Sequence, residues 1–138
     1  MLKKVCVIFS AVILVLGLYL NNKTPVFSGL ANTFEVHLTD YSDTRAQLTL
    51  KQSEFVFLSG VKGESCVIEI KDFDLQRYLE EMNASVIFTH EFLDSKNYYA
   101  YSPKIKYCKM IDGKMINLQV CVKKDGVKLG SPIIYGSF

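Results

Sequence analysis

Tryptophan is absent, histidine occurs twice and proline three times, and no Pro-rich or Gly/Ser-rich linker or internal repeat divides the 138 residues. Such a chain has room for one ordinary domain. Gly-rich phosphate loops, G-x-S-x-G elbows, the helical HExxH pattern and paired carboxylates on a helix face are all missing. Their absence removes the commonest sequence signatures of phosphate binding, acyl transfer and zinc hydrolysis. Cysteine is present without a pattern: beyond Cys6 there are Cys66, Cys108 and Cys121, an odd count with no CxxC spacing. Free, half-buried thiols fit that arrangement, and one disulfide with a thiol left over stays open beside them.

A dominant charge is lacking as well, because 16 basic residues nearly balance 14 acidic ones. The balance conceals a division. Residues 29–95 carry a net charge of minus 7, and residues 96–138 carry plus 6. The simplest account is one sheet whose strands come from both halves, so that the charges pair or are solvated on its outer face. The functional account is a C-terminal region that presents Lys104, Lys106, Lys109, Lys123 and Lys124 to an anionic partner, either lipid headgroups or wall polymer. Residues 29–138 sum to minus 1, which argues against a nucleic-acid partner.

What is present begins at the N-terminus. Val5 to Leu20 carry no charge, and only Ser10 and Gly17 interrupt the apolar run, which comes after Lys3 and Lys4. Basic residues before an apolar stretch hold the N-terminus in the cytoplasm and send the downstream chain across the membrane. The run fits a signal-anchor or transmembrane segment with a short stalk over residues 1–28, leaving an extracytoplasmic domain over 29–138. Secretion after signal cleavage is the alternative. Small residues suited to cleavage, at Ser28, Gly29 and Ala31, lie eight or more positions beyond Leu20, and that distance favours retention.

Two Asp-Gly pairs, Asp112-Gly113 and Asp125-Gly126, sit between runs rich in β-branched residues and predict two tight hairpins. In the register they imply, Ile111 faces Lys114, Tyr107 faces Leu118 and Ile105 faces Val120, while Lys124 faces Val127 and Val122 faces Leu129. The result is a three-stranded meander. Leu118, Val120 and Val122 occupy one face of its middle strand, and Asn117, Gln119, Cys121 and Lys123 the other. Upstream, Phe34 and Val36 alternate with polar neighbours as a first strand. Residues 45–51, Phe55 to Leu58, and Val67, Ile68 and Ile70 supply three more. Asp72 or Asp74 can cap a helix of about nine residues whose apolar face is Leu75, Tyr78, Leu79 and Met82, and Asn83 ends it. Strands at Ala84 to Phe92 and Tyr98 to Ser102 come next. The fold class is α+β: an antiparallel sheet with one short helix packed on a face.

The C-terminal residues also carry a family resemblance. KMINLQVCV over Lys114 to Val122, followed by LGSPIIYGSF from Leu129, resembles the closing signature of the YwmB family of extracytoplasmic proteins from spore-forming Firmicutes. The match is best over residues 114–138, and because family members are longer this chain resembles a shortened member. The resemblance implies an α+β fold similar to that of the TATA-box-binding protein, an extracytoplasmic place and a process linked to sporulation. It carries no established activity and no catalytic residues to transfer.

Candidate chemistry is sparse. His37 and His90, each with an acidic neighbour, are the only residues on which a metal pair or, with a cysteine, an envelope hydrolase or thiol enzyme could be built. Lone strand histidines are more often plain surface or core residues, so no catalytic, metal or cofactor site is assigned. Tyr98, Tyr99, Tyr101 and Tyr107, interleaved with lysines, resemble a stacking platform, yet alternation splits them between two faces and tyrosine is a favoured strand residue. The reading is therefore a non-enzymatic, membrane-tethered binding or assembly module of the bacterial cell envelope. Its expected interaction surface is Tyr99, Tyr101, Lys104, Lys106, Ile134 and Tyr135. An envelope protein would dock there by adding a strand to an open edge at Pro132 to Phe138, and an anionic wall polymer is the other candidate partner.

Overall fold

A computed structural model describes residues 1–21, 24–39 and 47–135. Helix α1 (Leu2–Asn21) is a 20-residue, mainly apolar helix that touches the domain at the 52–57 segment. Strands β1 (Thr33–His37), β2 (Gln47–Lys51) and β3 (Gly63–Ile68) precede helix α2 (Leu75–Glu81). After α2 come β4 (Ser85–Phe92), β5 (Ser95–Tyr101), β6 (Lys109–Ile111), β7 (Lys114–Ile116), β8 (Leu118–Val122) and β9 (Val127–Ser131). The expected α+β class is what the chain adopts: seven strands form one antiparallel sheet in the order β2-β1-β3-β9-β8-β5-β4, and β6 and β7 make a separate hairpin.

Alternation decides the two faces. Phe34 and Val36 on β1, Cys66 and Ile68 on β3, Leu118 and Val120 on β8, and Val127 and Leu129 on β9 share the face that α2 covers, and all are buried. α2 begins where Asp74 accepts the Arg77 N–H at 3.1 Å, satisfying one of the free donors at the helix start. It ends at Asn83, whose φ of 49° is the left-handed turn that asparagine tolerates. Seven residues cannot hold a helix in water alone, so burial of Tyr78 and Leu79 against the sheet supplies the stability.

The structure departs from the sequence expectations at several places, each with a local cause. The run at 52–57 is a 3-10 helix, because the Glu54 carboxylate accepts the Lys51 N–H at 2.8 Å and turns the chain out of the strand. The first Asp-Gly turn forms as expected, with Asp112 and Gly113 at φ 50° and 74° and Ile111 opposite Lys114. The second does not. There the loop spans Lys123 to Gly126, closed by the Lys123 N–H on the Gly126 carbonyl, so Val122 faces Val127 and Val120 faces Leu129.

Asn117 causes the largest change. Its fully buried side chain accepts the Ser102 N–H and donates to the Ser102 and Ile105 carbonyls, all within 2.7–3.0 Å. This clasp ends the hairpin at Ile116 and redirects the chain. β8 therefore pairs with β5, Val120 opposite Tyr98, and Tyr107 and Ile105 have no place in its register.

β1 and β3 pair directly, and the closing strand lies in the middle of the sheet. β9 joins β3 on one side to β8 on the other, and all five of its residues are buried. Beyond it, Pro132 to Tyr135 cross the face opposite α2. The crossing needs Gly130 and Gly63: a Cβ at Gly130 would lie 2.6 Å from Ile134 Cγ1, and one at Gly63 would lie 2.8 Å from the Tyr135 ring. The segment expected to be a stalk is also part of the domain. Pro25 is buried, and Phe27 is wholly buried in the main apolar cluster with Leu79, Leu118 and Leu129.

Candidate functional site

The six residues expected to form one interaction surface are dispersed. Tyr99 lies on the face away from α2, its ring stacked on Phe88 with centroids 4.5 Å apart. Tyr101 is half-buried at the end of β5. The Lys104 ammonium donates to the Glu81 carbonyl at the C-terminus of α2, where a cation suits the free carbonyls. Lys106 is exposed in the loop after β5. Ile134 donates its N–H to Gln119 Oε1 at 2.9 Å, and Tyr135 is buried against His37 with ring centroids 5.1 Å apart. Tyr135 therefore belongs to the packing of the sheet, and Pro132 to Tyr135 present no open edge; residues 136–138 lie outside the described residues.

The lysines scatter too. Lys109 sits over the Tyr135 ring and Lys114 over Phe88. Lys123 and Lys124 occupy the β8–β9 loop, at the end of the sheet opposite Lys104 and Lys106, since Ala100 near the end of β5 pairs with Leu118 at the start of β8. No single lysine face results from this placement.

The two histidines are not brought together. His37 is on β1 and His90 on β4, five strand spacings apart, or roughly 24 Å at about 4.8 Å each. Cys66 faces α2, the opposite side of the sheet from His37, and burial pushes its thiol up to about 12, far from a reactive thiolate. All four cysteines are free. Among the described residues no three His, Cys, Asp and Glu side chains converge as metal ligands.

The polar groups that sequence reasoning missed are two glutamates, one under each face. Glu35 on β1 lies away from α2 and is neutralised there: its Oε2 accepts Lys128 Nζ at 3.0 Å and Ser65 Oγ at 3.1 Å. Lys128 is 5% exposed and Glu35 33%, so the pair is closed on one side only. His37 lies beside it with both ring nitrogens buried and unpartnered, and its pKa is lowered, chiefly by burial. Glu64 on β3 faces α2 and is wholly buried. Its Oε1 accepts the Phe27 N–H at 3.3 Å, and Oε2 has no partner. Burial outweighs the Phe27 and Val26 N–H groups and the nearby Lys106, and holds the carboxyl up to about 7. The signal was present in the sequence, because Glu64 occupies the same alternation position as Cys66 and Ile68.

The sheet has two edge strands, β2 and β4, of which β4 is the longer. β4 pairs only with β5, and a bulge between Val86 and Phe88 leaves Ile87 exposed. At its far end Phe92 is 64% and Leu93 90% exposed, and Met110 and Met115 of the β6–β7 hairpin are exposed as well. On the face away from α2, between the β4–β5 turn and Ile134, a cleft of about 290 Å³ is lined by Phe92, Leu93, Asn97, Gln119, Cys121 and Ile134 among others. The arrangement offers unpaired backbone donors and acceptors next to apolar side chains, and so fits an extended chain. No protein-family model matches this sequence, and neither does any curated protein or solved structure.

Proposed function

We propose that the chain is a membrane-tethered, extracytoplasmic binding or assembly module of the bacterial cell envelope, without enzymatic activity, and a shortened relative of the YwmB family with a part in sporulation. One observation carries the tethering: α1 has an 18-residue window, Leu2–Tyr19, of mean hydropathy 2.1, none of it buried against the domain. A helix whose apolar run is this long and unburied has the composition of a bilayer span. Lys3 and Lys4, in its first turn, support a cytoplasmic N-terminus and a domain on the far side.

The binding role is supported by the β4 edge, which would take an extended segment of an envelope protein as an eighth strand. Cell fractionation with protease accessibility tests the tether. Intact chain in the membrane fraction, with a domain cut by protease added to spheroplasts, is the expected result; the intact chain soluble in cytosol and shielded from protease would overturn the reading. A photocrosslinking residue at Phe92 tests the partner: one dominant adduct is expected, lost in Ile87→Asp while the fold survives, and no adduct or an unchanged adduct in that variant counts against β4.

A further inference from the structure

The segment that links α1 to the sheet is seated in the core, and the group that receives it is a buried acid. Residues 25–31 run along the α2 face of the sheet before β1 begins. Phe27 inserts among Leu79, Leu118 and Leu129, and turn bonds from Ser28 to the Pro25 carbonyl and from Leu30 to the Phe27 carbonyl shape the segment. The polar contact of this segment with the core is the Phe27 N–H, with that of Val26, on the Glu64 carboxyl.

We propose that Glu64 is a proton-operated latch on this tether: with the carboxyl neutral, residues 25–31 stay seated against the sheet, and when it ionises they are released, lengthening the link between α1 and β1.

The groups facing Glu64 leave it no compensating charge at contact distance. From β9 comes Ser131, directly opposite in the register, and from α2 comes Tyr78; each has a buried, unpartnered oxygen. From β3 comes Cys66, a neutral thiol. The loop after β5 brings Tyr107 and the exposed Lys106, whose attraction ranks behind desolvation and both backbone N–H groups. Lys128 is engaged by Glu35 on the other face, where His37 also lies. An ionised Glu64 is thus a charge in the core held by backbone dipoles, whereas a released tether would open it to water and an ordinary carboxylate pKa. Release is coupled to proton loss, so rising pH favours it. Seven freed residues, at about 3.4 Å each, add up to roughly 24 Å of reach.

The inference does not depend on which side of a membrane the domain occupies. Hydrogen exchange of the full chain in nanodiscs, expressed as protection relative to intrinsic rates at each pH, tests it on the Val26, Phe27, Ser28 and Leu30 amides. Between pH 5.5 and 8.5 protection of these amides should fall on the order of tenfold or more, while β8 and β9 stay protected. Glu64→Gln should abolish the pH dependence and keep the segment protected throughout. Carboxyl carbon shifts of the unaltered chain supply a second measurement that needs no variant. Protection constant over this range, a Glu64→Gln chain with the same pH dependence, or a Glu64 carboxyl already titrated by pH 5 would each overturn the latch.

Discussion

The two faces of the sheet each bury a glutamate, and they treat it differently. On the face away from α2, Glu35 meets the ammonium of Lys128 and the hydroxyl of Ser65, and a third of it reaches solvent. On the α2 face, Glu64 meets backbone N–H groups and has no solvent. A paired carboxylate keeps its charge as part of the structure; one held only by dipoles keeps it at the expense of desolvation. The first face should therefore be sensitive to loss of the ion-pair partner, and the second to the ionisation of its acid.

That contrast can be broken in four ways. Phe27→Ala empties the α2 face where the tether is seated and should cost about 3 kcal/mol in urea unfolding, in the range of large aromatic deletions from a core. Glu64→Gln should raise stability on the order of 2 kcal/mol at pH 8.5 and hardly change it at pH 4.5. The sign comes from the raised pKa: the native state prefers the protonated acid, so the stability it contributes is complete below about 4.5 and is lost as pH climbs through about 7. Lys128→Ala, on the other face, should cost about 1 to 2 kcal/mol, a moderate loss because Glu35, left without its ammonium, retains access to water. Asp74→Ala removes the N-cap of α2 and should cost about 1 kcal/mol at either pH, which separates loosening of the covering helix from titration beneath it. If Glu64→Gln gains no stability as pH rises, the distinction between the faces fails.

Periodicity made the faces legible and left the neighbours hidden. Leu118, Val120 and Val122 point together as alternation predicts, since a period of two is a property of the strand alone. Which strand lies beside β8 depends on Asn117, whose hydrogen bonds to Ser102 and Ile105 act over 15 and 12 residues. The two Asp-Gly pairs show the same limit. Asp112-Gly113 sits between strands that pair with each other and nothing else, so its turn preference prevails. Asp125-Gly126 joins two central strands whose register is also held by β3 and β5, and those outer partners override the local turn. The six expected surface residues are dispersed partly for this reason: Ile134 and Tyr135 look terminal in the sequence, while Gly63 and Gly130 clear a path that folds them onto the sheet.

The position of β9 has a bearing on how the chain matures. β2, β1 and β3 form one group and β8, β5 and β4 another, and among the described residues β9 is the strand that bridges them. Among the described strands it is also the last in sequence, so the two half-sheets cannot be joined until it has been synthesised. A nascent chain stopped short of Val127 would carry two unjoined fragments, each with a raw edge open to chaperones, to proteases and to other copies of itself.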